Sequence, residues 1–331
     1  MIFFTELQFC YFQWKCKPDF FHSMSILLVS KKRKFSSLKK HIQTIDSNID
    51  VEIWPAVSHP DRVQLAVAWN QPENVLATFP NLRAITSLGA GVDHLVYDTT
   101  IPETVTLTRM VLPSLKQQVA DYVLMSTLNI LRHSHTYYKQ QQRAEWTEHQ
   151  PIEKDDLRIG VMGLGQLGAV TAKKLEESGF HVSGWARTKK ELSSIRTYAS
   201  GEIDHFLKEV NILVCLLPLT PETEGILNLE TIKKLKQPAF IINAARGEHL
   251  VDEDLIYALD TDRIRHATLD VFTDEPLPES HPFWNRDKIT ITPHVAALTS
   301  EKEAAKLIVD NYKRLLSGMD LTHPVSKNYK Y

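Results

Sequence analysis

Three residues with reactive side chains stand just past three successive apolar runs. Arg246 follows Ala239-Phe240-Ile241-Ile242-Asn243. Glu275 follows His266-Ala267-Thr268-Leu269-Asp270-Val271-Phe272, and His294 follows Ile289-Thr290-Ile291-Thr292. An arginine can grip a carboxylate through two parallel N–H bonds. A histidine can give or take a proton near neutral pH, and a carboxylate beside it orients its ring. In an open α/β sheet the C-terminal strand ends open into the ligand crevice, so these three would converge on one spot. Taken singly each has a plainer reading: Arg246 as a helix cap or surface charge, Glu275 as a turn residue before Pro276, His294 as a satisfied core histidine. Their common placement favours chemistry.

A second constellation is Gly163-Leu164-Gly165-Gln166-Leu167-Gly168, a G-x-G-x-x-G turn. An apolar run at 157–162 precedes it, and a helical stretch at 169–178 with a stop at Gly179 follows. Gly163 would allow the tight turn, Gly165 the approach of backbone to a pyrophosphate, and Gly168 the packing of helix on strand. The helix N-terminus would offer free N–H groups to phosphate. An ordinary strand-to-helix turn can carry the same spacing.

The next strand, 180–185, ends in Ala186-Arg187-Thr188-Lys189-Lys190 rather than in the acidic residue that binds an NAD ribose. Cations and a hydroxyl there suit a 2′-phosphate. Each charge-assisted bond is worth roughly 1.5–3 kcal/mol, so NADP(H) would be preferred by a factor on the order of ten to a thousand, with NAD(H) still possible. The competing reading is an exposed basic loop. Gly89-Ala90-Gly91-Val92-Asp93-His94, after the strand at 84–88, is either a backbone nest for a carboxylate or a tight turn needing positive φ at a glycine.

The elements that must position these residues alternate. Strands are expected at 26–29, 51–55, 65–69, 84–88 and 105–107, with a short helix at 75–79. The basic run from Lys31 to His41 reads as the first turns of an exposed helix whose charges form a solvated face. One long helical pattern covers 116–143. Beyond it come strands at 157–162, 180–185, 212–217, 239–243, 266–272 and 289–292, and a helix at 252–259. The alternation implies an α/β fold with parallel sheets and crossover helices.

With 331 residues, 43% apolar and 24% charged, the chain has ample material for two domains. A net charge of −2 gives no general basic field for nucleic acid. The three cysteines, Cys10, Cys16 and Cys215, have no paired spacing, and Cys215 lies within an apolar run. This suits a reducing, cytoplasmic setting. Residues 1–23 are aromatic but interrupted by Glu6, Lys15, Lys17 and Asp19. They read as an extension outside the fold, neither signal peptide nor membrane anchor. No ligand cluster with metal spacing is evident.

Together these motifs resemble the D-isomer-specific 2-hydroxyacid dehydrogenases. The likeness runs from Met24 to about Lys327. It rests on the glycine turn, Leu-Leu-Pro-Leu-Thr-Pro-Glu-Thr at 216–223, Asn-Ala-Ala-Arg-Gly at 243–247, Leu-Asp-Val-Phe-Thr-Asp-Glu-Pro-Leu-Pro at 269–278 and Thr-Pro-His-Val-Ala-Ala at 292–297. Trp54-Pro55, the Gly89–His94 turn and Trp185-Ala186-Arg187-Thr188 carry a narrower likeness to the family's glyoxylate/hydroxypyruvate reductases. The resemblance implies two Rossmann-like lobes, parallel sheets with helices on both faces, and a cleft between them. The substrate lobe would be 24–117 plus 299–331, the dinucleotide lobe 118–298, with crossings near 118–143 and at about Thr299.

The resemblance also implies roles. Arg246, Glu275 and His294 would be catalytic. The cofactor would lie along Gly163, Gly165, Gln166, Leu167, Gly168, Arg187, Thr188, Lys189, Leu217, Pro218, Thr223, Ala244, Ala245, Arg246, Asp270 and His294. The substrate would meet Trp54, Ala90, Gly91, Val92 and Arg246, although Trp54 could equally be a core residue. The implied reaction is reduction of a small 2-oxo acid by NADPH, with the proton from His294, in a homodimer without nucleic-acid or membrane partners. Two alternatives stay open: a dinucleotide-sensing binding protein without turnover, and a dehydrogenase of another 2-hydroxy acid.

Overall fold

The computed structural model describes residues 24–192 and 194–326. The expected extension at 1–23, with Cys10 and Cys16, lies outside the described residues, as do Ser193 and 327–331.

The chain order is β1 Ser25–Ser30, α1 Ser36–Ile45, β2 Asp50–Ile53, β3 Val63–Trp69, β4 Ala84–Ser87, α2 Asp93–Val96, β5 Thr106–Arg109, α3 Pro113–Leu131, α4 Ser134–Gln142, β6 Arg158–Met162, α5 Gly168–Glu177, β7 His181–Trp185 and β8 Arg196–Tyr198. It continues with α6 Ile203–Lys208, β9 Ile212–Cys215, α7 Leu229–Lys234, β10 Ala239–Asn243, α8 Asp252–Asp260, β11 Ile264–Leu269, β12 Ile289–Ile291 and α9 Glu301–Leu316. The strands form two sheets, ordered β2-β1-β3-β4-β5 and β12-β11-β10-β9-β6-β7-β8. Every pairing between named strands is parallel. The α/β architecture with two parallel sheets is therefore as the sequence implied.

Period-two alternation explains why both faces of each sheet are covered. On β1, Ile26 and Leu28 join a core with Leu38 and Ile42 of α1 and Ile308 and Tyr312 of α9, while Leu27 and Val29 join another with Leu76 and Leu95. In the larger sheet Met162, Cys215 and Ile241 pack with Phe206, Ile232 and Leu255, whereas Val161, Val214 and Ile242 pack with Val123 and Leu175. Helix α3 joins the two halves. Its Leu115 lies in the core of the smaller sheet and its Val119, Val123 and Ile130 in that of the larger.

Several expectations are corrected. The long helix at 116–143 is two helices, because His133 adopts a left-handed φ of 55° between them. The basic run does not begin a helix: Lys31–Lys34 form a loop, and α1 starts at Ser36 after the buried Phe35. Strand β8 and helices α6 and α7 were not anticipated. The segment 323–325 docks on β5: Val325 is buried and its N–H donates to Leu107 O at 2.8 Å.

Candidate active site

Strands β10, β11 and β12 are adjacent, so their C-terminal loops form one wall. The first loop is pinned from below. Fully buried Asn243 accepts the Ala245 N–H at 3.2 Å and donates to Arg246 O at 2.9 Å. His249, also fully buried, closes the same turn. With its proton on Nε2 it donates to Pro218 O at 3.3 Å and accepts the Arg246 N–H on Nδ1 at 3.2 Å. Burial pushes its pKa down, which keeps the ring neutral. Gly247 is obligatory here, since a Cβ would stand 2.0 Å from the Phe272 carbonyl carbon in the next loop.

The Arg246 guanidinium reaches across to the first sheet. Its Nε donates to Asp93 Oδ1 at 3.0 Å, its Nη2 lies 2.9 Å from the same oxygen, and its Nη1 donates to Ala245 O at 2.7 Å. Burial pushes the Asp93 carboxyl up, but the charge and hydrogen bonds of Arg246 outweigh that and hold it below the usual range. A guanidinium has five N–H groups. Those not spent on Asp93 and Ala245 can take a ligand carboxylate.

Gly91 permits this approach. A Cβ there would lie 1.6 Å from Arg246 Nη2, and one at Gly89 would lie 2.3 Å from Cζ3 of Trp69. Neither glycine has positive φ, so the tight-turn reading fails and close approach is what these positions require. Ser87 Oγ braces the turn by donating to Gly91 O at 2.6 Å. The N–H groups of Ala90, Gly91 and Val92 make no hydrogen bond among the described residues, which leaves a row of donors beside Arg246.

His294 sits at a left-handed φ of 55°, a conformation a non-glycine residue keeps only when its surroundings fix it. Buried Asp270 does the fixing. Its backbone O accepts the His294 N–H at 2.8 Å, its Oδ1 accepts the Val295 N–H at 2.9 Å, and its Oδ2 accepts the Ala296 N–H at 2.8 Å. Thr292 Oγ1 adds a bond to Oδ1 at 2.6 Å and receives one from Tyr122 OH of α3 at 2.7 Å. The carboxylate of Asp270 is thus engaged with the loop that carries His294.

His294 Nδ1 lies 2.8 Å from Glu275 Oε2, and Glu275 Oε1 accepts the Phe272 N–H at 3.1 Å. Burial pushes the Glu275 carboxyl up; the hydrogen bond and charge of His294, with the Phe272 N–H, bring it below its usual range. Both side chains stay about one-third exposed, at 33% and 35%, so Nε2 can face a ligand. Trp69 meets the His294 ring edge-on at 6.4 Å.

At the glycine turn, Gly163 has φ of 99° and Gly168 has room for no side chain, its Cβ position being 1.7 Å from Gly163 O. The N–H groups of Gly165, Gln166 and Leu167 make no hydrogen bond among the described residues, and a Cβ at Gly165 would meet nothing within 4 Å. These features fit a pyrophosphate. Lys116 from α3 donates to Gln166 Oε1 at 2.7 Å. Arg187, Thr188, Lys189 and Lys190 are exposed past the end of β7, which fits a phosphate on the ribose. Leu217 is buried at the end of β9, and Thr223 Oγ1 ties the turn by donating to Pro218 O at 2.7 Å. Ala244 donates its N–H to Cys215 O at 3.3 Å.

Trp54 packs against the core that holds Leu27 and Leu95. The aromatic ring beside His294 is instead Trp69, which sequence reasoning passed over although it ends β3 as Arg246 follows β10. Asp93 and His249 were also missed. Asp93 lies within the quoted Gly89–His94 turn and His249 two residues past the 243–247 motif, but their partners are visible only in three dimensions.

Residues 124–296 match the family model for the NAD binding domain of D-isomer specific 2-hydroxyacid dehydrogenases. A glyoxylate/hydroxypyruvate reductase A of Serratia proteamaculans (strain 568) is 40% identical over 259 residues, covering 76% of this chain and 83% of that protein. Among solved structures, a D-isomer specific 2-hydroxyacid dehydrogenase from Xanthobacter autotrophicus Py2 in complex with NADPH and MES superposes with a TM-score of 0.89 at 36% identity, covering 93% of this chain and 100% of that one. An NADPH-dependent glyoxylate/hydroxypyruvate reductase from Sinorhizobium meliloti in complex with NADP and sulfate gives a TM-score of 0.87 at 32% identity, covering 93% and 100%. The Arg246–Asp93 pair between the two sheets, the His294–Glu275 pair at adjacent strand ends and these likenesses agree, and the chain belongs to the D-isomer-specific 2-hydroxyacid dehydrogenase family.

Proposed function

We propose that the protein is an NADPH-preferring reductase of small 2-oxo acids of the glyoxylate/hydroxypyruvate type. The observation that carries this reading is the pairing of Arg246 with Asp93 and of His294 with Glu275 around the unbonded N–H groups of Ala90–Val92. The relatives bound to NADPH and NADP support the cofactor. When held by the glycine turn and the basic strand end, the dinucleotide would supply a hydride for the carbonyl carbon. Arg246 and the Ala90–Val92 N–H groups hold the substrate carboxylate, and Arg246 polarises the carbonyl. His294 Nε2 gives its proton to the oxygen that becomes the hydroxyl, while Glu275 holds Nδ1 and balances the charge.

Gly163 to Gly168 hold the pyrophosphate, and Arg187, Thr188 and Lys189 the 2′-phosphate. Leu217, Pro218, Thr223, Ala244 and Ala245 form the cofactor groove. Substrate and dinucleotide lobes meet within α3 near residue 118 and before α9 near 299. The protein works as a homodimer in the cytoplasm. Exposed Trp146 (96%), Tyr138 (69%) and Met125 (48%) on the α3–α4 side support a partner surface, and free Cys215 fits a reducing compartment.

The test is loss of NADPH absorbance with a panel of 2-oxo acids headed by glyoxylate and hydroxypyruvate, repeated with NADH. Turnover with NADPH exceeding that with NADH is expected. Binding of NADPH without oxidation by any acid would instead establish a dinucleotide sensor.

A further inference from the structure

The basic run Lys31-Lys32-Arg33-Lys34 has no part in the mechanism above, yet the structure brings it to the site. It leaves β1 at its C-terminal end and is tied down there. Ser30 Oγ accepts the N–H groups of Lys32 at 3.3 Å and Arg33 at 3.2 Å, and the Lys31 N–H donates to Asn70 O, just past Trp69, at 3.2 Å. From this anchored loop Lys32 Nζ donates to the backbone O of Glu275 at 3.3 Å. The Arg33 guanidinium lies over the Trp69 ring, 5.3 Å from its centroid. That ring meets His294 and is seated on Gly89 of the carboxylate-binding turn. One bond and one ring therefore separate these two cations from the acid–base pair.

The charge at Arg33 is not neutralised locally. Among the described residues no carboxylate lies within ion-pair distance of it; Glu301 acts on it only at longer range, and desolvation holds its pKa below the ordinary arginine value. A guanidinium held over an aromatic face by cation–π attraction still has N–H groups to offer a planar anion.

We propose that Lys32 and Arg33 form a second anion subsite, so that the enzyme also takes 2-oxo acids carrying a second anionic group, with a lower KM than their monoanionic counterparts of equal length. The 2-oxo carboxylate takes Arg246 and the Ala90–Val92 N–H groups, and the far carboxylate of a 2-oxo dicarboxylate extends past Trp69 to the basic loop. This rests on the reductase reading and extends its substrate class. Arg33 is a specificity-determining residue in this scheme; the hydride and proton steps are unchanged.

The experiment compares acids of equal chain length with and without the second carboxylate, oxaloacetate against 2-oxobutyrate and 2-oxoglutarate against 2-oxovalerate, at saturating NADPH. Exposed charge pairs contribute a factor of about two to five each, so the unaltered protein should show a KM for each dianion about five- to tenfold below its monoanionic match. Arg33→Gln, which keeps the stem, should shrink that ratio about threefold without changing kcat. Lys32→Gln with Arg33→Gln should abolish it, and Arg33→Lys should restore most of it. Raised salt should weaken dianion KM more steeply than monoanion KM. Equal KM values within each pair, or a ratio indifferent to both substitutions, would overturn the subsite while leaving the reductase intact. Failure to reduce any acid of the panel would overturn the reductase reading, and the subsite with it.

Discussion

Gly91→Ala tests the geometry of the carboxylate grip without touching a reactive atom. Gly91 is not at positive φ, so alanine strains no backbone dihedral, and the cost falls on the contact with Arg246. The new Cβ would stand 1.6 Å from Arg246 Nη2 and 2.7 Å from Cζ. A non-bonded contact needs about 3.5 Å, so the guanidinium must retreat by about 2 Å. That exceeds the tolerance of its 2.9 and 3.0 Å bonds to Asp93 Oδ1 and moves it off the substrate carboxylate. A charge-assisted hydrogen bond is worth about 1.5–3 kcal/mol, and about 1.4 kcal/mol is tenfold. Losing one such bond therefore lowers kcat/KM for glyoxylate about ten- to hundredfold. The assay is steady-state NADPH oxidation, with NADPH affinity by fluorescence and thermal unfolding as controls. Undiminished kcat/KM in a folded, NADPH-binding variant would refute the placement of Arg246 beside this turn as the substrate grip.

Three further outcomes are expected. His294→Ala should leave NADPH affinity within about twofold while turnover falls about 10²- to 10⁴-fold, as measured by equilibrium fluorescence and single-turnover kinetics. Arg187→Ala should raise KM for NADPH at least tenfold more than KM for NADH; equal effects would reject its role at the 2′-phosphate. Acid should destabilise the fold early. Burial lowers His94 to about 4 and His266 to about 3, whereas an unfolded histidine titrates near 6.5. The unfolded state therefore binds more protons as pH falls from about 6.5 towards those values, and stability drops through that window. Melting temperature against pH checks this, and His266→Gln should flatten the curve.

The strand-end trio was legible because each reactive residue follows an apolar run, and parallel sheets expose that end of every strand. The glycine turn was legible for the same reason. What escaped has a common cause: partners far apart in sequence. Asp93 and Arg246 are separated by 153 positions, and Lys32 and Glu275 by 243. No local pattern announces such pairs. The break at His133 escaped because a histidine, not a glycine or proline, takes the left-handed conformation there. For Gly89 and Gly91 the sequence left a carboxylate nest and φ freedom both open, and neither reading anticipated that what they make room for is a side chain from another element. The basic loop looked like a solvated helix face since charge alone does not say where a loop is tied.

The carboxylates explain how the site holds its shape. Asp93 and Glu275 each engage one side of a cation, and in the proposed reaction the remaining N–H edge of Arg246 and the Nε2 of His294 would face the substrate. Asp270 holds the backbone of the His294 loop in a conformation the residue would not choose alone. Orientation is thus settled before substrate arrives, and binding energy need not be spent on it. Asp93 and Glu275 sit below their usual pKa range because of the very cations they orient. Their contribution to stability is therefore present above the ordinary carboxylate values and is lost only as pH falls through the depressed ones. The buried histidines begin to lose stability at higher pH, so acid would unfold the scaffold before it discharged the anchors of Arg246 and His294.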